Sequence, residues 1–433
     1  MEAFITRKKR KSGPETNDVP SPILATGGED DESTDLKLAM LSSLHVDFDQ
    51  ETLLDLLLAH DGSVQATSQA IRAGHAAKKS TSSVTAQASL RSFGVTATSS
   101  EESHRPTKKS KLLSRKGATL HLYDPHDIAE HTPCSIIHNF LPPDEANELL
   151  VELLEESKTF EKITFKLFDN VVSSPHTSSF YVGSLDEINA QKYEYTYNGS
   201  KITDVRKITP YLDLVKPRVA EAVNREITRR IDTHQAGQRL PLQSARPWTP
   251  NAAFVNCYNG PSQNVGWHSD QLTYLGPRAI IGSLSLGVAR EFRVRRVLPP
   301  DEDEDAQGQI AIHLPHNSLL VMHAEMQEAW KHCVVPAASI EPHPIAGNRR
   351  INVTYRDYRA EFHPRHTPRC GCDVPCVLRV VQRKRENFGK YFWMCHAGNV
   401  PGKEGCTFFQ WAEFDEEGRP VRRGKMATEP GTT

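Results

Sequence analysis

Apolar residues recur at helical spacing in three parts of the chain. From Thr34 to Gly74, Leu36, Met40, Leu41 and Leu44 form one stripe, and Leu53, Leu54, Leu56, Leu57 and Leu58 form another. Asp49 and Ser63 suit N-caps, and Gly62 and Gly74 suit stops, so the pattern predicts a small three-helix bundle over residues 34–75. Pro142-Pro143-Asp144 opens a further helix, with Ala146, Leu149, Leu150, Leu153 and Leu154 on one face. Another is expected from Tyr211 to Asp232.

Beyond that helix the period shortens to short β-rich runs: Ala253 to Tyr258, Ala279 to Val288, Glu291 to Val297, Gln309 to Leu314, Ser318 to His323 and Arg350 to Tyr355. Gly, Pro and Asn separate them. Helices followed by many short strands predict an α+β domain over residues 119–362, built as a double-stranded β-helix, or jelly roll, with flanking helices.

Residues 1–33, 76–118 and 416–433 lack this patterning and read as a disordered tail, linker and tail. The linker is rich in Ser, Thr and Lys. Composition agrees: 38% of the 433 residues are hydrophobic, too few for every segment to join a core. Net charge is −2, so any attraction to nucleic acid must be local. Two basic blocks are candidates, Arg7-Lys8-Lys9-Arg10-Lys11 and the group from Arg105 to Lys116; the first suits nuclear import. The acidic run Asp301 to Asp305 reads as a solvated loop. No apolar run approaches the roughly 18 residues that cross a bilayer, and Met1-Glu2-Ala3-Phe4 begins no signal core, so neither a membrane nor a secreted protein is expected.

Cysteine usage changes the picture. Of 8 cysteines, five crowd between Cys370 and Cys406, which points to a metal site rather than a disulfide framework. Cys370, Cys372, Cys395 and Cys406 supply a tetrahedral thiolate set for structural zinc in a small β module over 368–415, with Cys376 as a surplus thiol and His396 as an alternative ligand. Arg379, Arg383, Lys384, Arg385 and Lys390 suit phosphates, while Phe408, Phe409 and Trp411 suit either base stacking or a mini-core around the metal.

A second constellation lies upstream. His268-Ser269-Asp270 places two ligand types two residues apart, which on a strand share one face, and His332 can add a third from a distant strand. Two histidines and a carboxylate leave iron with open positions for a chelating cosubstrate and O2. In Arg350-Ile351-Asn352-Val353-Thr354-Tyr355-Arg356, alternation puts Arg350, Asn352, Thr354 and Arg356 on one face. Inside a barrel those arginines need an anion, and a dicarboxylic acid answers that need; on an outer face they would form surface ion pairs.

His268-x-Asp270, His332 and Arg350-x-Asn352-x-Thr354-x-Arg356 in that order, with Asn256-Cys257-Tyr258 upstream, resemble the AlkB family of Fe(II)- and 2-oxoglutarate-dependent dioxygenases. Ile281 to Gly287 and Arg290-Glu291-Phe292 are most similar to its DNA-repair branch. The resemblance implies His268, Asp270 and His332 as catalytic iron ligands. It implies Arg350 on the distal carboxylate of 2-oxoglutarate, helped by Tyr258 and Asn352, and Arg356 near the carboxylate beside the keto group, with Asn256 close by. The reaction implied is oxidative removal of N-methyl groups from bases of the 1-methyladenine and 3-methylcytosine type, using O2 and releasing formaldehyde. Tyr181, in the lid-like segment Ser174 to Gly183, is the candidate base contact, and Pro175-His176 stands where the repair enzymes carry Pro-Arg.

Gly389-Lys390-Tyr391-Phe392 between the cysteines resembles a GRF-type zinc finger, which implies binding of single-stranded nucleic acid and tethering of the catalytic domain to it. Residues Met40 to Ala73, with Leu56-Leu57, are similar to a CUE-type domain, which implies ubiquitin or a ubiquitylated protein as partner. Together these describe a nuclear DNA dealkylase. An RNA demethylase and a non-catalytic adaptor between ubiquitin and single-stranded DNA are the rival readings.

Overall fold

The computed structural model describes residues 119–421, apart from 168, 169, 198, 199, 299–307, 383 and 401, together with scattered positions between 41 and 71. The basic block 7–11, the linker 76–118, the acidic run 301–305 and the tail beyond 421 lie outside the described residues, as does most of the expected helical bundle. Of that bundle, Leu41, Leu53, Leu57 and Ile71 form a buried cluster with Leu56 and Val64 against it. Ser63 caps the helical turn after it, accepting from the Ala66 N–H at 3.2 Å.

In chain order the strands begin with β1 (Thr119–Leu122), β2 (Cys134–His138), β3 (Thr164–Leu167), β4 (Asn170–Ser173) and β5 (Thr177–Val182). They continue with β6 (Thr196–Tyr197), β7 (Ser200–Lys201), β8 (Val205–Lys207), β9 (Ala252–Asn259), β10 (Val265–His268) and β11 (Ile281–Gly287). Next are β12 (Arg290–Arg296), β13 (Gln309–Leu314), β14 (Ser318–Met322), β15 (Trp330–Val334) and β16 (Arg349–Arg356). A last group is β17 (Val377–Val380), β18 (Tyr391–Met394) and β19 (Phe409–Trp411).

Seven strands in the order β2-β14-β11-β16-β9-β5-β8 make the larger sheet, and β1-β13-β12-β15-β10 make the smaller one. Between them Phe180, Phe254, Ile281 and Met322 of the larger sheet share a core with Phe292, Val294, Ile310, Ile312 and Val334 of the smaller. The outer face of the larger sheet is covered by the helices Pro143–Glu156 and Pro210–His234, through Leu149, Leu150, Leu153, Leu212, Val215 and Val219. Proline at the first turn and Asp144 and Glu145 behind it favour the start of the first helix, where the peptide dipoles leave partial positive charge. The expected α+β double-sheet core is therefore present. Among the described residues no helix is long and apolar enough to cross a membrane.

Strand β16 is buried on both faces, and its alternation decides what each face meets. Ile351, Val353 and Tyr355 point to the helices, whereas Arg350, Asn352, Thr354 and Arg356 point between the sheets. Gly282 on β11 faces the same helices, where an added Cβ would sit 3.2 Å from Val223 and 3.3 Å from Trp248. A larger residue there would push the helix Pro210–His234 off the sheet that carries the arginines.

β17, β18 and β19 form a separate antiparallel sheet. Its inner residues Leu378, Tyr391 and Trp393 join the same buried core as Leu272, Tyr274, Leu275 and Phe362 of the jelly roll. The C-terminal module is packed against the jelly roll, not merely linked to it.

Candidate active site

β10 and β15 run antiparallel with His268 directly opposite His332, and the two rings lie 4.2 Å apart. The Nδ1 of His268 meets the Gly266 carbonyl at 2.8 Å, which turns its Nε2 inward. Phe292 stacks on His332 at 5.2 Å and fixes that ring. The Nε2 atoms of His268 and His332 are 3.7 and 3.5 Å from the Asp270 Oδ1. One donor atom from each of the three residues can thus be taken within 4.8 Å of the others.

The route to this convergence differs from the strand alternation expected. β10 ends at His268, so Asp270 lies in the loop that follows and not two places along the same strand. Its backbone N–H donates to the Gln327 Oε1 at 2.7 Å. Its Oδ2 accepts from the Arg356 Nε and Nη2 at 3.0 and 2.6 Å, leaving Oδ1 to the histidines. Burial opposes ionisation of Asp270, but Arg356 and the two imidazoles overcome it and hold the carboxyl far below the usual range. Burial, helped by His332, pushes His268 down to about 4. A neutral imidazole and an ionised carboxylate are the states that ligate a divalent metal.

Arg350 is 1% exposed and sits opposite Tyr258 in the β16–β9 ladder, with its guanidinium 5.2 Å from the Tyr258 ring. Its Nη2 donates to the Ser285 Oγ at 2.8 Å, while Nε and Nη1 are buried with no hydrogen-bond partner. Burial pulls this arginine down to about 10. A buried cation with two orphaned donors is expensive unless an anion completes it, and a carboxylate matches that fork. The geometry fits the 2-oxoglutarate carboxylate expected there.

Two expectations change, those for Asn352 and Tyr181. Asn352 spends its amide on the Ser283 Oγ at 2.8 Å and the Leu284 carbonyl at 3.3 Å, and its Oδ1 accepts from Thr354 at 3.1 Å, so its side chain is engaged within the sheet rather than turned to a ligand. Arg356 gives its Nε and Nη2 to Asp270. Tyr181 is not a base contact: at 1% exposure it belongs to the helix-side core, its hydroxyl donating to the Glu156 Oε2 at 2.8 Å. The pleat puts its neighbour Phe180 on the interior face instead, 4.8 Å from Phe254.

His176, read as a lid residue, packs beside Tyr258. It stacks on Tyr258 at 4.7 Å and meets the Asn264 carbonyl at 3.2 Å; burial pushes it down to about 4. Its position follows from the β5–β9 pairing, in which Ser178 faces Asn256, and that pairing has no signature in the sequence.

The second metal centre is the C-terminal one. Sulfur atoms of Cys370, Cys372, Cys395 and Cys406 lie within 4.8 Å of one another, and Cys376 and His396 are not in the set. Burial opposes ionisation of Cys395, but the Cys406 and Ala397 N–H groups, each 3.4 Å from its sulfur, outweigh it and bring the thiol to about 7. Burial pushes Cys376 up to about 12, so it stays a thiol. Four convergent thiolates fit structural zinc.

The aromatics of this module divide by strand alternation. Tyr391 and Trp393 are buried and Phe408 packs against the core, whereas Phe409 and Trp411 stay 51% and 43% exposed and lie outside it. Phe392, Phe409 and Trp411 form a contiguous ring cluster, with the Lys390 Nζ 5.9 Å above Trp411.

The GRF zinc finger family matches residues 368–415. Alpha-ketoglutarate-dependent dioxygenase alkB homolog 3 of Rattus norvegicus is 36% identical over 110 residues, 25% of this chain and 35% of that protein. DNA oxidative demethylase ALKBH2 of Arabidopsis thaliana is 31% identical over 125 residues, 24% of this chain and 37% of its own length. Endonuclease 8-like 3 of Xenopus laevis is 38% identical over 48 residues, 11% of this chain and 7% of that protein. The chain spans about a third of the length of the first two. The match that covers the jelly roll is broader: with residues 133–356 matched, just over half its length, and with a His-Asp-His cluster beside a buried arginine, the chain belongs to the 2OG-Fe(II) oxygenase superfamily.

Proposed function

We propose that the chain is an oxidative dealkylase of N-methylated bases of the 1-methyladenine and 3-methylcytosine type in DNA, working by direct reversal. The observation that carries it is Arg350, a buried guanidinium with two orphaned donors facing the same interior as the His268-Asp270-His332 cluster. In this reading His268, Asp270 and His332 hold Fe(II), and Arg350 with Tyr258 holds the distal carboxylate of 2-oxoglutarate. Bound together with O2, these supply the oxidising power that converts an N-methyl group to N-hydroxymethyl, which leaves as formaldehyde, while 2-oxoglutarate becomes succinate and CO2.

The protein's own part is geometric and electrostatic. Arg356 keeps Asp270 ionised and aimed, and the β10–β15 ladder sets the spacing of the two imidazoles. Phe180, Phe254 and Phe292 wall the interior and exclude water. DNA as substrate is supported by relatives named as DNA oxidative demethylases and by the exposed Phe409 and Trp411, whose rings suit unpaired bases.

The test is turnover with Fe(II), ascorbate and 2-oxoglutarate on single-stranded oligonucleotides bearing 1-methyladenine or 3-methylcytosine, read by mass spectrometry, with Asp270→Ala beside it. Base repair lost in the control supports the proposal. Succinate formed without repair of DNA, but with repair of methylated RNA, moves the substrate to RNA; binding of single strands without turnover on either favours the adaptor.

A further inference from the structure

The β ladder fixes both histidine ligands, but Asp270 lies in the loop beyond β10 and has no ladder to hold it. Arg356 holds its carboxylate, and the zinc module holds the loop around it. The Gln382 Nε2, just beyond β17, lies 3.1 Å from the Glu328 carbonyl, 3.3 Å from the Gln327 carbonyl and 3.5 Å from the Ser269 Oγ, which in turn donates to the Trp330 carbonyl at 2.9 Å. Gln327, fully buried, is the residue whose Oε1 accepts from the Asp270 N–H. The Leu378 N–H donates to the Thr273 Oγ1 at 3.2 Å. Tyr391 donates its hydroxyl to the Glu328 Oε1 at 2.8 Å, an oxygen that also accepts from the Arg278 N–H.

These bonds land on two segments only, 269–273 and 327–330. The first follows His268 and contains Asp270; the second leads into β15 and His332. The module therefore grips the chain beside every iron ligand. Apolar packing of Leu378 and Tyr391 among Leu272, Tyr274 and Leu275 excludes water from the same seam. Metal sites tolerate little ligand displacement, and groups that orient the ligands typically control affinity by 10–100-fold.

We propose that the zinc module is a positioning element of the iron site, with Gln382, Tyr391 and Gln327 as positioning residues that set the place of Asp270. This inference rests on the iron site alone and holds whatever the substrate is. It also makes zinc loading a condition for tight iron binding.

The test uses the full, zinc-loaded chain titrated with Co(II), whose visible absorption reports occupancy of the iron site without turnover. Gln382→Ala and Tyr391→Phe are expected to weaken Co(II) binding by about tenfold each, with the zinc content unchanged by mass spectrometry. Trp411→Ala, on the exposed face of the same module, is expected to leave Co(II) affinity alone. His268→Ala is expected to abolish the signal; if it does not, the cobalt reads another site and the oxygenase site itself is in error. Wild-type affinity in both Gln382→Ala and Tyr391→Phe, or an equal loss in Trp411→Ala, would overturn the proposal.

Discussion

Arg356 donates two hydrogen bonds to a single oxygen of Asp270, at 3.0 and 2.6 Å, and leaves the other oxygen facing the histidines. The arginine thus fixes which oxygen of the carboxylate the histidines meet. Lysine keeps the charge but loses the planar fork that engages one oxygen with two N–H groups. Arg356→Lys is expected to weaken Fe(II) affinity by roughly 10–100-fold, with 2-oxoglutarate affinity of the metal-loaded enzyme changing less. Calorimetric titration with each ligand separates the two.

Arg350 is expected to show opposite effects on stability and on binding. In the absence of an anion it is a buried charge with two unpartnered donors, so Arg350→Met should raise the melting temperature of the ligand-free protein. The same change should remove the stabilisation that 2-oxoglutarate gives to the parent chain, since loss of a buried charge partner costs roughly 2–5 kcal/mol of binding. Thermal melts with and without 2-oxoglutarate check both signs; a drop in the ligand-free melting temperature contradicts this account of the pocket.

Tyr181 provides a test of which face of β5 meets the substrate. Tyr181→Phe removes the hydroxyl bonded to Glu156 and is expected to cost about 1 kcal/mol of stability, leaving kcat/KM on a methylated oligonucleotide unchanged. Phe180→Ala, on the interior face, is expected to lower kcat/KM.

Phe409 and Trp411 are exposed, so trimming them should leave the fold intact. Trp411→Ala is expected to cost about 1–3 kcal/mol of single-strand affinity through lost stacking, with an unchanged melting temperature. Fluorescence anisotropy with an unmodified oligonucleotide measures it, and an unchanged affinity would remove this face from the nucleic-acid path.

Buried neutral histidines make the fold sensitive to acid. His323 is 2% exposed and bonded to Ser135 at 2.9 Å, and burial holds it well below its ordinary value; His176 and His316 are each lowered to about 4 for the same reason. A histidine depressed in the fold is protonated first in the unfolded chain. Its contribution is therefore fully present above about 6.5 and is lost as pH falls from there towards 4. Melting temperatures measured from pH 7.5 to 4.5 should fall below 6.5, and His323→Asn should flatten that slope.

Much of the fold was legible because local patterning and burial agree. The apolar stripe from Ala146 to Leu154 does cover a sheet, and Gln309–Leu314 is a strand with the bounds its alternation predicts. β1, β2, β5 and β8 were not legible. Each is short, and three of them form parallel pairs, β1 with β13 and β5 with β8, so their stability comes from the sheet and not from their own residues.

By itself the sequence singled out the residues that the structure brings together: His268, Asp270 and His332, the buried Arg350, and four of five crowded cysteines. Ligand chemistry restricts residue types so strongly that the pattern survives without coordinates. The tertiary structure alone decided which way each side chain faces and what it touches. Register sent Tyr181 to the helices and Phe180 inward, and brought His176 beside Tyr258 across 82 residues of chain. It also paired Arg356 with Asp270 and seated Gln382 of the zinc module against the loop that carries Asp270. Such relationships depend on strand pairing and packing between distant segments, where a shift of one residue exchanges the two faces, and local composition carries no record of that choice.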